Sequence, residues 1–507
     1  MTGGEGAASD QPVVLVSHRG PVQFDRSDGE RTVDRGGGGL VTALSGLIPD
    51  LHHAVWVCAA LTEEDRAVVA EHDGEAFEVG EEQDGAGNQV RLRMVVVDDE
   101  VHDQFYGIVA NPLLWFIQHQ LWDTKVAPEL TRREHDAFVD GYAEVNRSFA
   151  DAVVEEVEAC GGGATVMVQD YHFYLLPELV RSRCPEVFLH HFVHIPWPSS
   201  DAWRVLPPSM REAIFTGMLG NDVVAFHTKR SARNFVLGCQ ELLGLPVDLG
   251  ATSVTVGDRT VVARAYPISI DTEDFEARAA SAPVAEHRDA LESTRRDHLL
   301  LRVDRTDPSK NIVRGFRAFD LLLRDHPELA GQVSFLALLQ PSRQDVEEYA
   351  DYTALIRRVV ADINLEHGTA DWQPIDLRLE EDLDLAVAAY TLFDVLVVNA
   401  VVDGMNLVAK EAVLVNRRDG VLALSENTGA HEELGELAVT LYPFDLQQQA
   451  DALHEAITMP VDERRRRREA AASHVRSHDV SAWFEAQLAD IDRLGAARNR
   501  LGGPQGG

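Results

Sequence analysis

Short unbroken apolar runs, each followed by a helical pattern, constrain this chain more than any other feature. Val395-Leu396-Val397-Val398 has no polar alternation, so it reads as a strand buried on both faces, and the pattern turns helical through Ala412, Val413, Leu414 and Val415. The same strand–helix alternation fills most of the length, which predicts parallel sheets with helices on both faces. In the first half the strand candidates are Val13–Val16, Val55–Cys58, Val90–Val97, Thr165–Val168, Val187–Val193 and Val223–Phe226. Gly257-Asp258 marks the turn of a hairpin leading into Ala265–Asp271. A polar, Ala-rich stretch up to Asp297 reads as an interdomain connection with a lead-in helix. The pattern then restarts with Leu299–Val303, Val333–Leu339, Val395–Val398, Val421–Leu424 and Ala438–Leu441. The expected fold is α/β, with two successive sheets of this type and a cleft between them.

Composition narrows the partners. A chain of 507 residues suits two or three domains. Its net charge of −37, from 83 acids and 46 bases, argues against nucleic acid or an anionic membrane, since both need a basic footprint. Arg464–Arg468 runs against that charge, but consecutive residues point all round a helix, so the run reads as solvated helix surface. The opening MTGGEGAASDQP has neither a basic region nor an apolar core, so a signal peptide is not expected. No run approaches the ~18 apolar residues of a membrane span. Cys58, Cys160, Cys184 and Cys239 lie far apart without metal-ligand spacing and read as reduced thiols of a cytoplasmic protein.

Ligands of open α/β sheets bind at the carboxyl ends of the strands, and polar residues gather at those ends here. Arg19 follows the first strand, and Gly36-Gly37-Gly38-Gly39 then opens a helix, where glycines let backbone approach a phosphate. Tyr106 and Trp115 flank an apolar stretch and could stack on a sugar ring or simply fill the core. Asp170 and His194 each end a strand, the latter within His194-Ile195-Pro196-Trp197-Pro198. Arg305 and Lys310 share the loop after Val303, and Arg343 follows the next strand. Two cations on one loop suit a diphosphate, because Arg binds oxygens bidentately while Lys supplies a point charge. Asp403-Gly404-Met405-Asn406-Leu407-Val408-Ala409-Lys410-Glu411 then places a carboxylate and a glycine at a strand end, with Glu411 eight residues on, about two helical turns into the following helix.

Taken together these motifs resemble the trehalose-6-phosphate synthase family of retaining glycosyltransferases, over roughly residues 13–495. The Gly36–Gly39 run and Trp115–Trp122 look like its actinobacterial branch. The resemblance implies the GT-B fold: an acceptor domain at residues 12–272, a nucleotide-sugar domain at 273–477 and a helix returning to the first domain at 478–497, while the tail at 498–507 is Gly-rich and is expected to be disordered. It implies glucose 6-phosphate binding by Arg19, Tyr106, Trp115, Asp170 and Arg343, with the two arginines on the phosphate. It assigns Gly38, Gly39, Arg305 and Lys310 to the donor diphosphate, and His194 and Asp403 to the donor glucose hydroxyls. Met405, Asn406 and Leu407 match backbone contacts to the donor, and Glu411 the carboxylate on the nucleotide ribose.

The reaction implied is transfer of glucose from UDP- or GDP-glucose to glucose 6-phosphate with retention, giving α,α-trehalose 6-phosphate. No metal and no other cofactor is expected, because preorganised cations can stabilise the leaving diphosphate. Small-molecule substrates are the expected partners, and a homo-oligomer is left open. The chain departs from the family pattern at His18, Gln169, Ser269 and Val401-Val402, none of which removes a proposed ligand. Rival readings are a relative with another acceptor, such as a glucosylglycerol-phosphate synthase or a validoxylamine-phosphate-synthase-like pseudo-glycosyltransferase. A catalytically silent sugar-phosphate sensor is the rival from a different class.

Overall fold

The apolar runs are central strands in the computed structural model, which describes residues 11–27, 29–35, 54–79, 90–343 and 346–502. The chain divides into two compact units, one of Met1–Tyr266 with Phe484–Gly507 and one of Pro267–Trp483.

In the first unit the strands are β1 (Val13–Val16), β2 (Val22–Ser27), β3 (Glu30–Arg35), β4 (Val55–Ala59), β5 (Phe77–Val79) and β6 (Val90–Val95). They continue as β7 (Thr165–Gln169), β8 (Phe188–Val193), β9 (Val223–Phe226), β10 (Val247–Asp248), β11 (Ser253–Val256) and β12 (Arg259–Ala265). Ten of them form one sheet in the order β10-β11-β12-β9-β8-β7-β1-β4-β6-β5. From β12 to β6 every pairing is parallel, and only β10, β11 and β5 join antiparallel. Strand order reverses at β1/β7, where Val16 faces Val168.

The second unit carries β13 (His298–Arg305), β14 (Val333–Gln340), β15 (Ile375–Arg378), β16 (Val395–Val398), β17 (Val421–Ser425) and β18 (Val439–Leu441). These make a wholly parallel sheet, β15-β14-β13-β16-β17-β18. Its order reverses at β13/β16, where Leu300 faces Val395. Every residue of β16 is buried, as a strand without alternation requires. One flank is packed by the helix Ile312–Asp325, whose Phe316 and Phe319 meet Phe335 edge-on at 5.4 and 5.3 Å between ring centroids.

Local chemistry sets the ends of these elements. Thr62 and Asp65 form a reciprocal cap on the helix Glu63–Glu71, and Asp65 also accepts the Phe24 amide at 2.8 Å. The helix Lys229–Leu243 starts on a Thr228 cap and stops at Gly244, which takes a left-handed conformation (φ +69°). The Gly257-Asp258 hairpin forms as expected, between Val256 and Arg259.

Several expectations need correction. The β2/β3 hairpin, β5, β10 and β15 had no apolar signature, because an edge or two-stranded ribbon needs no second buried face. The stretch before Asp297 holds two helices, Thr272–Ala279 and Ala282–Thr294, in place of one lead-in helix. The tail expected from residue 498 is helical to Gly502, and Arg498 donates to the Val187 carbonyl at 2.7 Å. Within that closing helix Asp490 accepts the Tyr266 hydroxyl at 2.7 Å.

The Arg464–Arg468 run is not simple solvated surface. Arg464 is buried and reaches Asp394 at 3.2 Å, while Arg465 and Arg468 reach Asp419 and Arg466 and Arg467 reach Glu463. Asp394, itself buried, also meets Arg295 and Arg418 and accepts the Leu299 amide at 2.9 Å. A buried carboxylate needs such partners. Among the described residues no helix is long and apolar enough to cross a membrane.

Candidate active site

Both sheets reverse their strand order once along the parallel run, and the crevice outside such a reversal is where α/β sheets bind ligands. In the first sheet the two strands at that point end in Ser17-His18-Arg19 and in Asp170. In the second they end in the loop carrying Arg305 and Lys310 and in the loop carrying Asp403.

At the first reversal, Trp56 Nε1 donates to Ser17 Oγ at 2.6 Å, and Ser17 donates to the Arg19 carbonyl at 2.5 Å. The turn is thereby fixed while the Arg19 side chain stays exposed. His18 is buried against a layer of near-parallel rings, His172 at 4.8 Å, Tyr106 at 5.2 Å and His102 at 5.5 Å. Burial, reinforced by His172, His102 and Arg19, pushes its pKa well below the usual histidine value, so the ring is neutral.

Trp115 is buried, stacked on His119 at 4.0 Å and tilted on Tyr171 at 5.7 Å, and Tyr171 leads through His172 at 4.1 Å to His18. Tyr106 and Trp115 thus belong to one chain of rings, with Tyr106 at its half-buried end and Trp115 in the core.

Asp170 holds a backbone conformation that side chains other than glycine rarely adopt, φ +69° and ψ −179°. Its amide donates to the Phe192 carbonyl at 2.7 Å, its own carbonyl meets His191 Nε2 at 2.9 Å, and its Oδ1 accepts the His194 amide at 3.1 Å. These contacts over-determine a strained residue, a pattern that gathers at functional sites. His194 Nε2 lies 2.9 Å from Gln169 Oε1, a contact that favours the tautomer protonated at Nε2. Burial, followed by His227, His191 and His190, holds the His194 pKa well below normal. In β8, which His194 directly follows, burial lowers His190 to about 4 and His191 to about 3.

At the second reversal Lys310 Nζ donates to Asp403 Oδ2 at 2.5 Å, which joins residues 93 positions apart. Asn406, at φ +78°, donates to the same oxygen at 3.1 Å. The Ser309 carbonyl accepts the Val401 amide at 2.8 Å, tying the two loops together. The Asp403–Leu407 turn rests on the loop after β17: Asp403 donates to the Asn427 carbonyl at 3.1 Å, and Ala430 donates to that of Met405 at 2.9 Å. A Cβ on Gly429 would lie 1.9 Å from the Gly404 carbonyl oxygen, so only glycine fits there. Met405 and Asn406 are buried, and Leu407 directly precedes the helix Val408–Val415. In that helix Glu411 is half-buried, 3.3 Å from the Tyr390 hydroxyl, and burial raises its pKa to about 7. Lys410, wholly buried, meets Glu433 at 2.7 Å and the Ile268 carbonyl at 2.8 Å.

Arg305 is half-buried at the end of β13. Arg343 belongs to this second unit, whereas Arg19, Tyr106, Trp115 and Asp170 belong to the first. It donates to the Tyr349 hydroxyl at 2.6 Å and lies 3.6 Å from Asp307, which itself accepts that hydroxyl at 3.0 Å. Gly38 and Gly39 lie outside the described residues. Sequence reasoning missed Tyr349, Gly429 and the supporting role of Gln169. Only Gly429 left a local signal, a glycine in the Glu426-Asn427-Thr428-Gly429 loop that follows β17.

Known proteins match nearly the whole chain. The profile of glycosyltransferase family 20 matches residues 11–493. The alpha,alpha-trehalose-phosphate synthase [UDP-forming] 2 of Aspergillus fumigatus is 32% identical over 503 residues, covering 97% of this chain and 99% of that protein. The crystal structure of an alpha,alpha-trehalose-phosphate synthase (UDP-forming) from Burkholderia vietnamiensis is similar with a TM-score of 0.80 and 29% identity, covering 96% of this chain and 99% of the other. An enzyme of the same description from Burkholderia xenovorans, in complex with glucose-6-phosphate, gives a TM-score of 0.77 at 25% identity, covering 95% of this chain and 100% of the other.

Proposed function

The chain belongs to glycosyltransferase family 20, and on that footing we propose that it is an alpha,alpha-trehalose-phosphate synthase. It moves glucose from a nucleotide-glucose to glucose 6-phosphate, with release of the nucleoside diphosphate. The observation that carries this reading is the Lys310–Asp403 pair at 2.5 Å, which unites the two most specific donor motifs at one strand reversal. The named activities of the Aspergillus and Burkholderia relatives support the same donor and acceptor classes. Their description as UDP-forming favours UDP-glucose, with GDP-glucose the alternative donor.

Donor entry exchanges contacts. Lys310 turns from Asp403 to the diphosphate with Arg305, and Asp403 takes glucose hydroxyls in its place. As the bond from the anomeric carbon to the phosphate oxygen breaks, the two cations stabilise the charge that builds on the leaving group. The acceptor hydroxyl attacks from the same face and passes its proton to the departing phosphate oxygen, which retains the α configuration. His194, neutral and with its Nε2–H donating to Gln169, holds a donor hydroxyl and does not serve as an acid. Asp170 binds acceptor hydroxyls, Tyr106 and Trp115 form the wall of that site, and Arg19 and Arg343 neutralise the acceptor phosphate. Glu411 takes the ribose, with Gly38, Gly39 and the Met405–Leu407 backbone completing the donor contacts.

Substrate specificity is tested by supplying UDP-, GDP- and ADP-glucose with glucose 6-phosphate and determining the product linkage by NMR. An α,α-linked disaccharide phosphate is expected, and a β-linked product or no transfer to glucose 6-phosphate from any of the three donors would overturn the reading. Turnover should persist in excess EDTA, since Arg305 and Lys310 supply the charge a divalent ion would otherwise bring. Loss of activity that magnesium or manganese restores would refute metal independence.

A further inference from the structure

β13 carries a charge in the midst of its apolar run. Arg302 follows Leu299-Leu300-Leu301 and is wholly buried. A guanidinium is tolerated in such a place only when its N–H groups find acceptors. Asp304 Oδ2 accepts from Nε at 3.1 Å and from Nη2 at 2.9 Å. Nη1 donates to the Ile312 carbonyl at 3.2 Å, and Nη2 donates to the Lys310 carbonyl at 3.0 Å and to Asn399 Oδ1 at 3.1 Å. Asn399, directly after β16, donates in turn to Gln449 Oε1 at 2.9 Å. The neighbouring helix makes room for this group: a Cβ on Gly315 would lie 2.6 Å from Arg302 Nη1. Neutralising Asp304 would need only part of that fork. The remaining donors go to the backbone of the turn that carries Lys310 and to the strand end from which the Asp403 loop departs.

We propose that Arg302 is a positioning residue for glucosyl transfer, holding the Lys310 turn from beneath so that the ammonium pairs with Asp403 before donor binds and with the donor diphosphate afterwards. The inference rests on the reading of Lys310 as a donor ligand. The lysine side chain is a flexible four-carbon stem, so its charge is placed only as well as its backbone is. A misplacement of 1 Å away from the reacting atoms can cost roughly 10²-fold in rate. A lysine at position 302 would keep the charge but could not span four acceptors on three segments.

The test is a double-mutant cycle of Arg302→Lys with Lys310→Ala, with donor and acceptor kinetics measured separately. In the wild-type background R302K should lower kcat/KM for the donor about 10- to 100-fold and leave the acceptor KM unchanged. In the K310A background the same substitution should have almost no further effect, because the group it positions is gone. A merely structural role would give the same loss in both backgrounds, and that result, or an R302K enzyme with wild-type donor kinetics, overturns the proposal. Wild-type donor kinetics in K310A alone would instead overturn the donor reading of Lys310. Should R302K fail to fold, Gly315→Ala displaces the guanidinium while itself favouring the helix. It should show the same donor-specific loss and the same dependence on Lys310, and a G315A enzyme altered in melting temperature alone also overturns the proposal.

Discussion

The two strand reversals are built alike and prepared differently. At β1/β7 the carboxylate, Asp170, is locked in a strained conformation among neutral histidines while Arg19 stays exposed. At β13/β16 cation and carboxylate already hold each other, Lys310 on Asp403. One reversal stores its readiness in the backbone, the other in an ion pair that ligand must exchange. A strained residue keeps its geometry whether or not ligand is present. A pair keeps two charges compensated in a partly buried site until a phosphate replaces one partner. The proposed roles of the two locked groups follow this division, with Asp170 binding hydroxyls at the first and Lys310 stabilising charge at the second.

The sharpest way to break the comparison is to remove the pair. Lys310→Ala should lower turnover by ~10²–10³, the usual cost of losing one preorganised donor to developing charge, and Arg305→Ala should fall in the same range. Steady-state kinetics with saturating donor checks both, and near wild-type turnover in the two variants would end the assignment.

A smaller effect tests whether Arg343, held by Asp307 and Tyr349 in the second unit, serves the acceptor. Arg343→Ala should raise the acceptor KM by ~10-fold or more, as expected for a charge-assisted bond, and weaken the preference for glucose 6-phosphate over glucose. An unchanged preference would return Arg343 to a structural role beside Tyr349.

The strain at Asp170 is open to a direct comparison of two variants. Both Asp170→Gly and Asp170→Ala should lose activity, but the glycine should melt as the more stable by roughly 1 kcal/mol. The strain is of order 1–3 kcal/mol, offset in part by the entropy of glycine in the unfolded chain. Equal stabilities would mean that the first reversal stores no strain.

The smallest expected effect concerns Glu411, whose pKa is raised by burial to about 7. A raised carboxyl stabilises the fold fully below its unfolded value of ~4.5, and that contribution is lost as pH rises towards 7. A ribose donating to the carboxylate favours the charged form, so nucleoside diphosphate binding near pH 6 should release up to one proton. Titration calorimetry in buffers of different ionisation enthalpy measures this release, which should vanish in Glu411→Gln. Proton release that persists in the variant would place the titrating group elsewhere.

The sequence made the central strands legible because a strand buried on both faces has no polar alternation to hide it. It left β15 (Ile-Asp-Leu-Arg) and the β2/β3 ribbon unread, since polar residues are tolerated at edges. Lys310 and Asp403 could be read singly as polar residues at strand ends, but their contact depends on β13 and β16 being neighbours, which no local pattern encodes. The left-handed backbone of Asp170 and Asn406 has no compositional mark, because tertiary hydrogen bonds impose it. Arg464 misled for the opposite reason: consecutive arginines do point all round a helix, yet one direction ends at the buried Asp394.

The neutral imidazoles on and after β1 and β8 carry a consequence for how the protein meets acid. His18, His190, His191 and His194 all hold depressed pKa values in the folded chain. Unfolded histidines bind protons below pH ~6.5, so acidification draws up to about four protons into the unfolded N-terminal unit that the folded one refuses. Stability therefore drains as pH falls from ~6.5 towards the folded values. These four imidazoles therefore make the unit of Asp170 and His194 less stable in mild acid.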